Sequence, residues 1–349
     1  MEAYLLIKER NESLDCLKGI AILLVMFGHV QVHNHMTDPY LYDVIKSLQM
    51  PLFFLISGYL SGSGTKVESI RQYRERMVRR AVSYLLPFFS WLTVQHITDL
   101  PRAWKTIWFR LDYGLWFLMV LFLFTWMAYS AQLVQAKVKK EWSFWAVILG
   151  SCGLVLAVYL AGVTFLSPSL LVIYLPYYVC AYFCGFYREL FRKRVPDVFL
   201  RVFSYGCGLV FLAMAVLLDL VTVTGIVMLG FQTMASFLGC LAVIQLVRDW
   251  KANSVKSKLA WLGHYTLEIY VLHYLFAAVL NPGKKVYTFW TLEGLLYSAA
   301  AFIVMSLMTA AAVYVINHVK WLRFFLFGKH ENNPPAHGDG IGGKTSWTI

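Results

Sequence analysis

The feature that most constrains this chain is a succession of apolar segments, each close to the length of about 20 residues that a helix needs to cross a bilayer. They run at 14–30, 44–61, 81–97, 113–134, 144–164, 170–190, 199–218, 222–247, 259–280 and 291–319. Hydrocarbon offers no water to an exposed N–H or C=O, so segments of this kind become helices with every backbone bond made internally. The expected fold is therefore all-α, a polytopic membrane helix bundle of about ten transmembrane helices. Composition supports this, since 59% of the 349 residues are hydrophobic and only 14% are charged. The six cysteines, Cys16, Cys152, Cys180, Cys184, Cys207 and Cys240, lie mostly inside apolar runs without a CxxC pair or a zinc-type Cys/His spacing. They read as small buried packing residues, and no metal is expected. The first run carries polar residues and no small-residue cleavage site after it, so it is expected to stay as the first span.

In a soluble protein a net charge of +12 would suggest nucleic acid. Here the charges sort by side instead. With the N-terminus inside, the basic connections at 66–80, 137–140, 188–201 and 248–258 fall on the cytoplasmic side, leaving Arg102, Lys105, Arg110, Lys284 and Lys285 opposite. Both termini are then cytoplasmic, and no nucleic-acid partner is needed to explain the charge. The loop at 33–43 lacks Lys and Arg and is short, which makes its flanking helices antiparallel neighbours. Arg102, Lys105 and Arg110, interleaved with Trp104 and Trp108, read as an interfacial segment. From Glu331 the sequence is rich in Gly, Pro and Asn, so the expected division is a membrane domain at 1–330 and a disordered cytoplasmic tail at 331–349. No internal repeat is evident, which weighs against a transporter built from inverted halves.

Within the first run, Lys18 and His29 stand eleven residues apart. That step is about three turns plus 20°, roughly 16 Å along one helix face. Two ionisable groups in line at different depths of a membrane mark a functional site, because charge in hydrocarbon is expensive and usually faces a bundle interior or wet cavity. The plainer alternative has Lys18 snorkelling to the headgroups and His29 lying at the opposite interface.

Five stretches then add a resemblance to the pattern: LDCLKGIAILLVMFGH ending at His29, MPLFFLISGYLSG from Met50 to Gly62, RERMVRRAVSYLLPF from Arg74 to Phe88, GLWFLMVLF from Gly114 to Phe122, and LGHYTLEIYVLH from Leu262 to His273. In this order they resemble the acyltransferase-3 family of membrane-bound O-acyltransferases, and four of them resemble its sugar-acetylating branch similar to fucose 4-O-acetylases. The resemblance implies transfer of an acyl group from cytoplasmic acyl-CoA to a sugar hydroxyl, often on a lipid-linked or external glycan. His29 matches the family's essential histidine and is expected to act as general base, with a covalent acyl-imidazole as a variant. Lys18 takes the family's basic position, where Arg is commoner. It is expected to hold a phosphate or the thioester end of CoA without bidentate geometry. Arg74, Arg76, Arg79 and Arg80 match the basic stretch and suit the 3′,5′-ADP part of CoA, although such a run also serves as an anchor on anionic lipid.

His273 coincides with the family's YLLH-like ending and is expected to bind substrate or orient the acceptor. Counted about 14 residues into its span it reaches roughly 21 Å, level with His29, so that the two face each other. His264 is expected to pair with Glu268 four residues on. Gln49 departs from the branch, which often has His before its Met-Pro pair; Gln can bind a sugar hydroxyl but is no base at neutral pH. Tyr59 and Trp116, matching SGY and LWFL, are placed to stack on a sugar, with packing as the alternative. The expected protein is an O-acetyltransferase of the bacterial plasma (inner) membrane. Its co-substrate is acetyl-CoA, and its partners are acyl-CoA, a surface glycan or lipid-linked sugar, and membrane lipids. A succinyl-CoA-dependent enzyme and a transporter or flippase using Lys18, His29 and His273 as a proton or anion path remain as alternatives.

Overall fold

A computed structural model describes residues 11–36, 38–218, 220, 225–277 and 285–329. The expected tail at 331–349, Lys284 and parts of the eighth and ninth expected spans lie outside these residues. Helix makes up 83% of the structure, with no strand among the described residues. In order the helices are α1 (Glu12–His33), α2 (Pro39–Ser63), α3 (Ile70–Arg80), α4 (Leu86–Gln95), α5 (Leu100–Thr106), α6 (Trp116–Val138), α7 (Glu141–Leu160) and α8 (Pro168–Phe186). They continue as α9 (Arg188–Arg194), α10 (Asp197–Leu217), α11 (Ile226–Asp249), α12 (Ser254–Gly263), α13 (Thr266–Phe276), α14 (Leu292–His318) and α15 (Lys320–Phe327).

Eight helices among the described residues are long and apolar enough to cross a membrane, namely α1, α2, α6, α7, α8, α10, α11 and α14. The other two expected spans are interrupted. In the third, α3 runs into a π-helical turn at Ala81–Leu85 and then into α4. Pro87 supplies a reason, since it has no N–H to continue an ordinary ladder, and the Leu86 N–H bonds the Ala81 carbonyl five residues back. In the ninth, the helix stops at Gly263 and restarts at Thr266. The segment at 97–115 holds α5 between two short 3₁₀ turns, with the Trp104 ring stacked on Phe89 at 5.1 Å.

The chain forms two compact units, one of residues 1–56 and 192–307, the other of 57–191 and 308–349. In the first, α1 begins where the Asn11 side chain accepts from the Ser13 and Leu14 N–H groups at 3.0 and 3.3 Å. Glu12 and Asp15 occupy its first turn, at the positive end of the helix dipole. α1 packs on α11, α12 and α13, and α10 packs on α11. Its contact with α12 is backbone on backbone: a Cβ on Gly19 would stand 2.1 Å from the Leu259 carbonyl oxygen, and one on Gly263 would stand 2.0 Å from that of Asp15. Lys256 is buried, yet its ammonium is satisfied by the carbonyls of Val247 and Trp250 at 3.0 and 2.8 Å, which closes the end of α11. At the far end of α1, Gln31 donates to Ser298 at 2.7 Å, while the Asn34 amide donates to the carbonyls of Val30 and Ala277 at 2.8 and 2.9 Å.

The second unit packs α6, α7 and α8 together and holds α15 against α4, where the Trp91 indole donates to the Leu326 carbonyl at 2.9 Å. The SGYLSG stretch of α2 lies against α8 with its glycines inward. A Cβ on Gly58 or Gly62 would stand 2.2 Å from the carbonyl oxygen of Tyr178 or Tyr182. Small residues one turn apart are how helices approach closely in lipid, where apolar burial gives no drive to associate. The Gly62→Leu substitution must push these helices apart, and an overpacking penalty of about 1–3 kcal/mol is expected. A lowered melting temperature in detergent, read by size-exclusion recovery after heating, is the measurement; Gly62→Ser should lose less than Gly62→Leu.

Candidate active site

α1 carries the sequence's two marked groups into two different surroundings. Near its start, Lys18 donates to Asp15 at 3.1 Å, and the other oxygen of that carboxylate lies 3.4 Å from Nε2 of His264. Asp15 is buried and Lys18 nearly so, which makes this a compensated ion pair rather than an isolated cation. The expected pairing of His264 with Glu268 is not formed. The helix breaks between them, so the four-residue spacing no longer places them on one face, and His264 turns to Asp15 instead.

His29 lies three turns further along α1. α13 runs beside α1 in the same direction, with Ala277 reaching Asn34, and places the His273 ring 5.1 Å from the His29 ring. The Tyr274 ring stands edge-on to both His29 at 5.3 Å and His33 at 4.8 Å. His273 is 1% exposed. Its Nδ1 lies 2.9 Å from the Ile269 carbonyl. A carbonyl only accepts, so Nδ1 bears the proton and, in the neutral ring, Nε2 is left as a lone-pair acceptor. That Nε2 is buried and has no hydrogen-bond partner among the described residues.

Gln49 joins the same place from α2. A Cβ on Gly28 would meet the Gln49 Oε1 at 2.8 Å, so glycine immediately before His29 is what admits the amide. Gln49 is buried, and its Oε1 also has no hydrogen-bond partner among the described residues. Lys46, one turn earlier on α2, lies within electrostatic reach of His29. Lys46, Asp15 and Tyr274 join this neighbourhood without belonging to any of the expected site residues. For Lys46 a signal existed, since the short loop after His33 makes α1 and α2 antiparallel and a lysine inside an apolar run then falls opposite His29.

The remaining expected residues belong to the second unit. Arg80 donates to the hydroxyls of Tyr84 at 2.9 Å and Tyr129 at 3.4 Å, and no carboxylate pairs with it among the described residues. Arg76 grips the Thr65 hydroxyl at 3.0 Å and the Lys66 carbonyl at 3.2 Å, holding the loop before α3. Arg79 is half-exposed beside Glu75, and Arg74 is exposed. Trp116 stacks on Tyr174 at 5.0 Å, and Tyr59 is half-buried with its carbonyl against Gly185. No group of three or more His, Cys, Asp or Glu side chains suited to a metal occurs among the described residues.

The first unit thus places a histidine beside a second ring with a bare acceptor nitrogen, a suitable setting for handling a hydroxyl proton. Comparison with known proteins bears on what such a site serves. Residues 11–317 match the family profile Acyl_transf_3, described as an acyltransferase domain. The chain is similar to the nodulation protein NolL of Sinorhizobium fredii, with 36% identity over 89 residues, covering 24% of this chain and 23% of that protein. It is also similar to NolL of Mesorhizobium japonicum, with 38% identity over 92 residues, covering 24% of each. The aligned part spans about a quarter of these curated relatives. No solved structure matches the chain. A profile that runs from the start of α1 to the last turn of α14 takes in both units and every candidate side chain described above; the chain belongs to the acyltransferase-3 family.

Proposed function

We propose that this membrane acyltransferase is an O-acetyltransferase that takes acetyl from cytoplasmic acetyl-CoA and gives it to a hydroxyl of a cell-surface polysaccharide sugar or of its lipid-linked precursor. The observation that carries the reading is the His29–His273 pair. A sugar hydroxyl attacks a thioester carbonyl only as its proton leaves; the oxygen–acyl bond forms, the carbon–sulfur bond breaks, and the proton ends on the CoA sulfur. His29 takes that proton and returns it. His273, fixed by Ile269 so that Nε2 is an acceptor, receives a hydrogen bond from the sugar or from the His29 ring and so orients the attack. Gln49 offers its amide to a neighbouring sugar hydroxyl.

Arg80 supports a site for an anionic part of the donor, because a guanidinium held by two phenols, with no carboxylate beside it among the described residues, keeps its charge available. Arg79 and Arg74 add exposed cations on the same helix, whereas Arg76 acts mainly in holding its loop. Lys18 serves the thioester end in this reading, with Asp15 setting its position. Tyr59 and Trp116 are kept as sugar-stacking candidates, Trp116 already having Tyr174 for one face. The setting that fits is a bacterial plasma membrane, with ten passes counting the two interrupted segments and both termini cytoplasmic, as the placement of basic loops favours.

Transfer of radiolabelled acetyl in membranes, with glycan and lipid fractions counted separately, tests this. Replacing His29 by Ala should abolish label in whichever fraction the wild type fills, and His273→Ala should cut it by about 10²–10⁴-fold, the range of a lost proton-handling group. Label retained by the His29 variant at equal protein level would remove that residue from the mechanism; none in the wild type would move the search to succinyl-CoA. For Arg80→Gln, a raised KM for acetyl-CoA with little change in kcat is expected, consistent with loss of uniform donor binding. An unchanged KM would leave Arg80 as part of the helix packing.

A further inference from the structure

Three features of the first unit converge on one side chain that the transfer itself does not use. Lys46 and Gln49 are three residues apart on α2 and therefore share a face. That face is turned to α1 at the level of His29, because Gln49 Oε1 and Ile45 Cγ2 are the atoms a Cβ on Gly28 would strike, at 2.8 and 3.1 Å. Lys46 keeps exposed side-chain surface. Its recorded neighbour is the Tyr42 ring at 6.0 Å, and it makes no ion pair among the described residues. The acids nearest in sequence are committed elsewhere. Asp38 accepts from the Leu41 N–H at 2.9 Å and from the Trp290 indole at 2.8 Å, and Asp43 accepts from the Leu220 N–H at 2.9 Å. His29 and His33 are the other ionisable groups on the facing stretch of α1, with His273 and Tyr274 on α13; none of the four is a carboxylate.

We infer that Lys46 is a specificity-determining residue that selects acceptors bearing an anionic group, a phosphate or a carboxylate, close to the hydroxyl that His29 activates. The inference rests on the acyltransfer reading for the role of His29 but concerns binding. A cation with no counter-charge among the described residues, set on the face turned to His29, favours a negatively charged ligand. The two sources of such charge in an acceptor are the diphosphate of a lipid-linked sugar and the carboxylate of a uronic acid.

The test measures equilibrium binding to the full-length protein in nanodiscs with three probes: a polyprenyl-diphosphate-linked sugar, a uronate-containing oligosaccharide and a neutral oligosaccharide of equal length. Wild type should bind at least one anionic probe about tenfold more tightly than the neutral one, the scale of a single charge-assisted hydrogen bond, with the preference shrinking as salt rises. Lys46→Gln should erase the preference and Lys46→Arg keep it, and the probe that responds names the source of the charge. A wild type with no anionic preference, or a Lys46→Gln protein that keeps it, overturns the inference and returns Lys46 to a lysine that snorkels to the membrane surface. Should the Gln variant fold poorly, Lys46→Met takes its place, and a wild type without the preference overturns the inference whatever the variants do. Because the readout is binding, an absence of acetyl transfer would count against the enzymatic reading alone.

Discussion

Where Gly19 and Gly263 let the backbones of α1 and α12 touch, no side chain separates the two helices, and polar groups on each come within reach of the other. The Asp15 carboxylate, placed in the first turn of α1, can then hold Lys18 from its own helix and His264 from the neighbour. In hydrocarbon such a contact cannot rest on apolar burial, so it rests on close packing and on polar groups that satisfy one another. Everything that follows in the first unit depends on this crossing. The chain must break after Gly263 to leave it, and the new helix that begins at Thr266 is the one that brings His273 beside His29.

The helical, membrane-type character of the chain was legible because apolar run length is a one-dimensional property. So were the eleven-residue step from Lys18 to His29 and the matching depth of His273, since both reduce to counting residues along a helix. What counting missed were the breaks. Gly263 is a local stop signal within LGHY, but inside a long apolar run it is outweighed by the pattern, and the backbone of Asp15 that requires glycine there is far away in sequence. The same break undid the expected His264–Glu268 pair, which assumed one continuous helix. In SGYLSG the sequence points to the tyrosine as a sugar-stacking candidate, whereas the structure gives the stretch a role through its glycines. Lys46 is legible only when the antiparallel pairing of α1 and α2 is used together with its place in an apolar run, because a lone lysine there gains meaning from what stands opposite it on the next helix.

The two units also divide the chemistry in a way that composition does not suggest. The first gathers imidazoles and amides whose nitrogen and oxygen atoms are suited to proton traffic and hydroxyl recognition. The second gathers a guanidinium and phenols around Arg80, Tyr84 and Tyr129, groups that hold charge rather than move it.

The π-helical turn at Ala81–Leu85 has a consequence for register. Its wider winding accommodates one residue more than an ordinary turn, so every side chain beyond it is rotated by about 100° from where a regular helix would aim it. Arg80 lies before the turn and Trp91, docked on the Leu326 carbonyl, lies after it. The length of this short stretch is therefore under stricter constraint than its composition: several apolar residues would serve at Ala81 or Val82, but the loss of a single residue there would swing Arg80 and the α15 dock out of phase with each other. Evolution within such a segment should proceed by exchange of residues and not by their deletion.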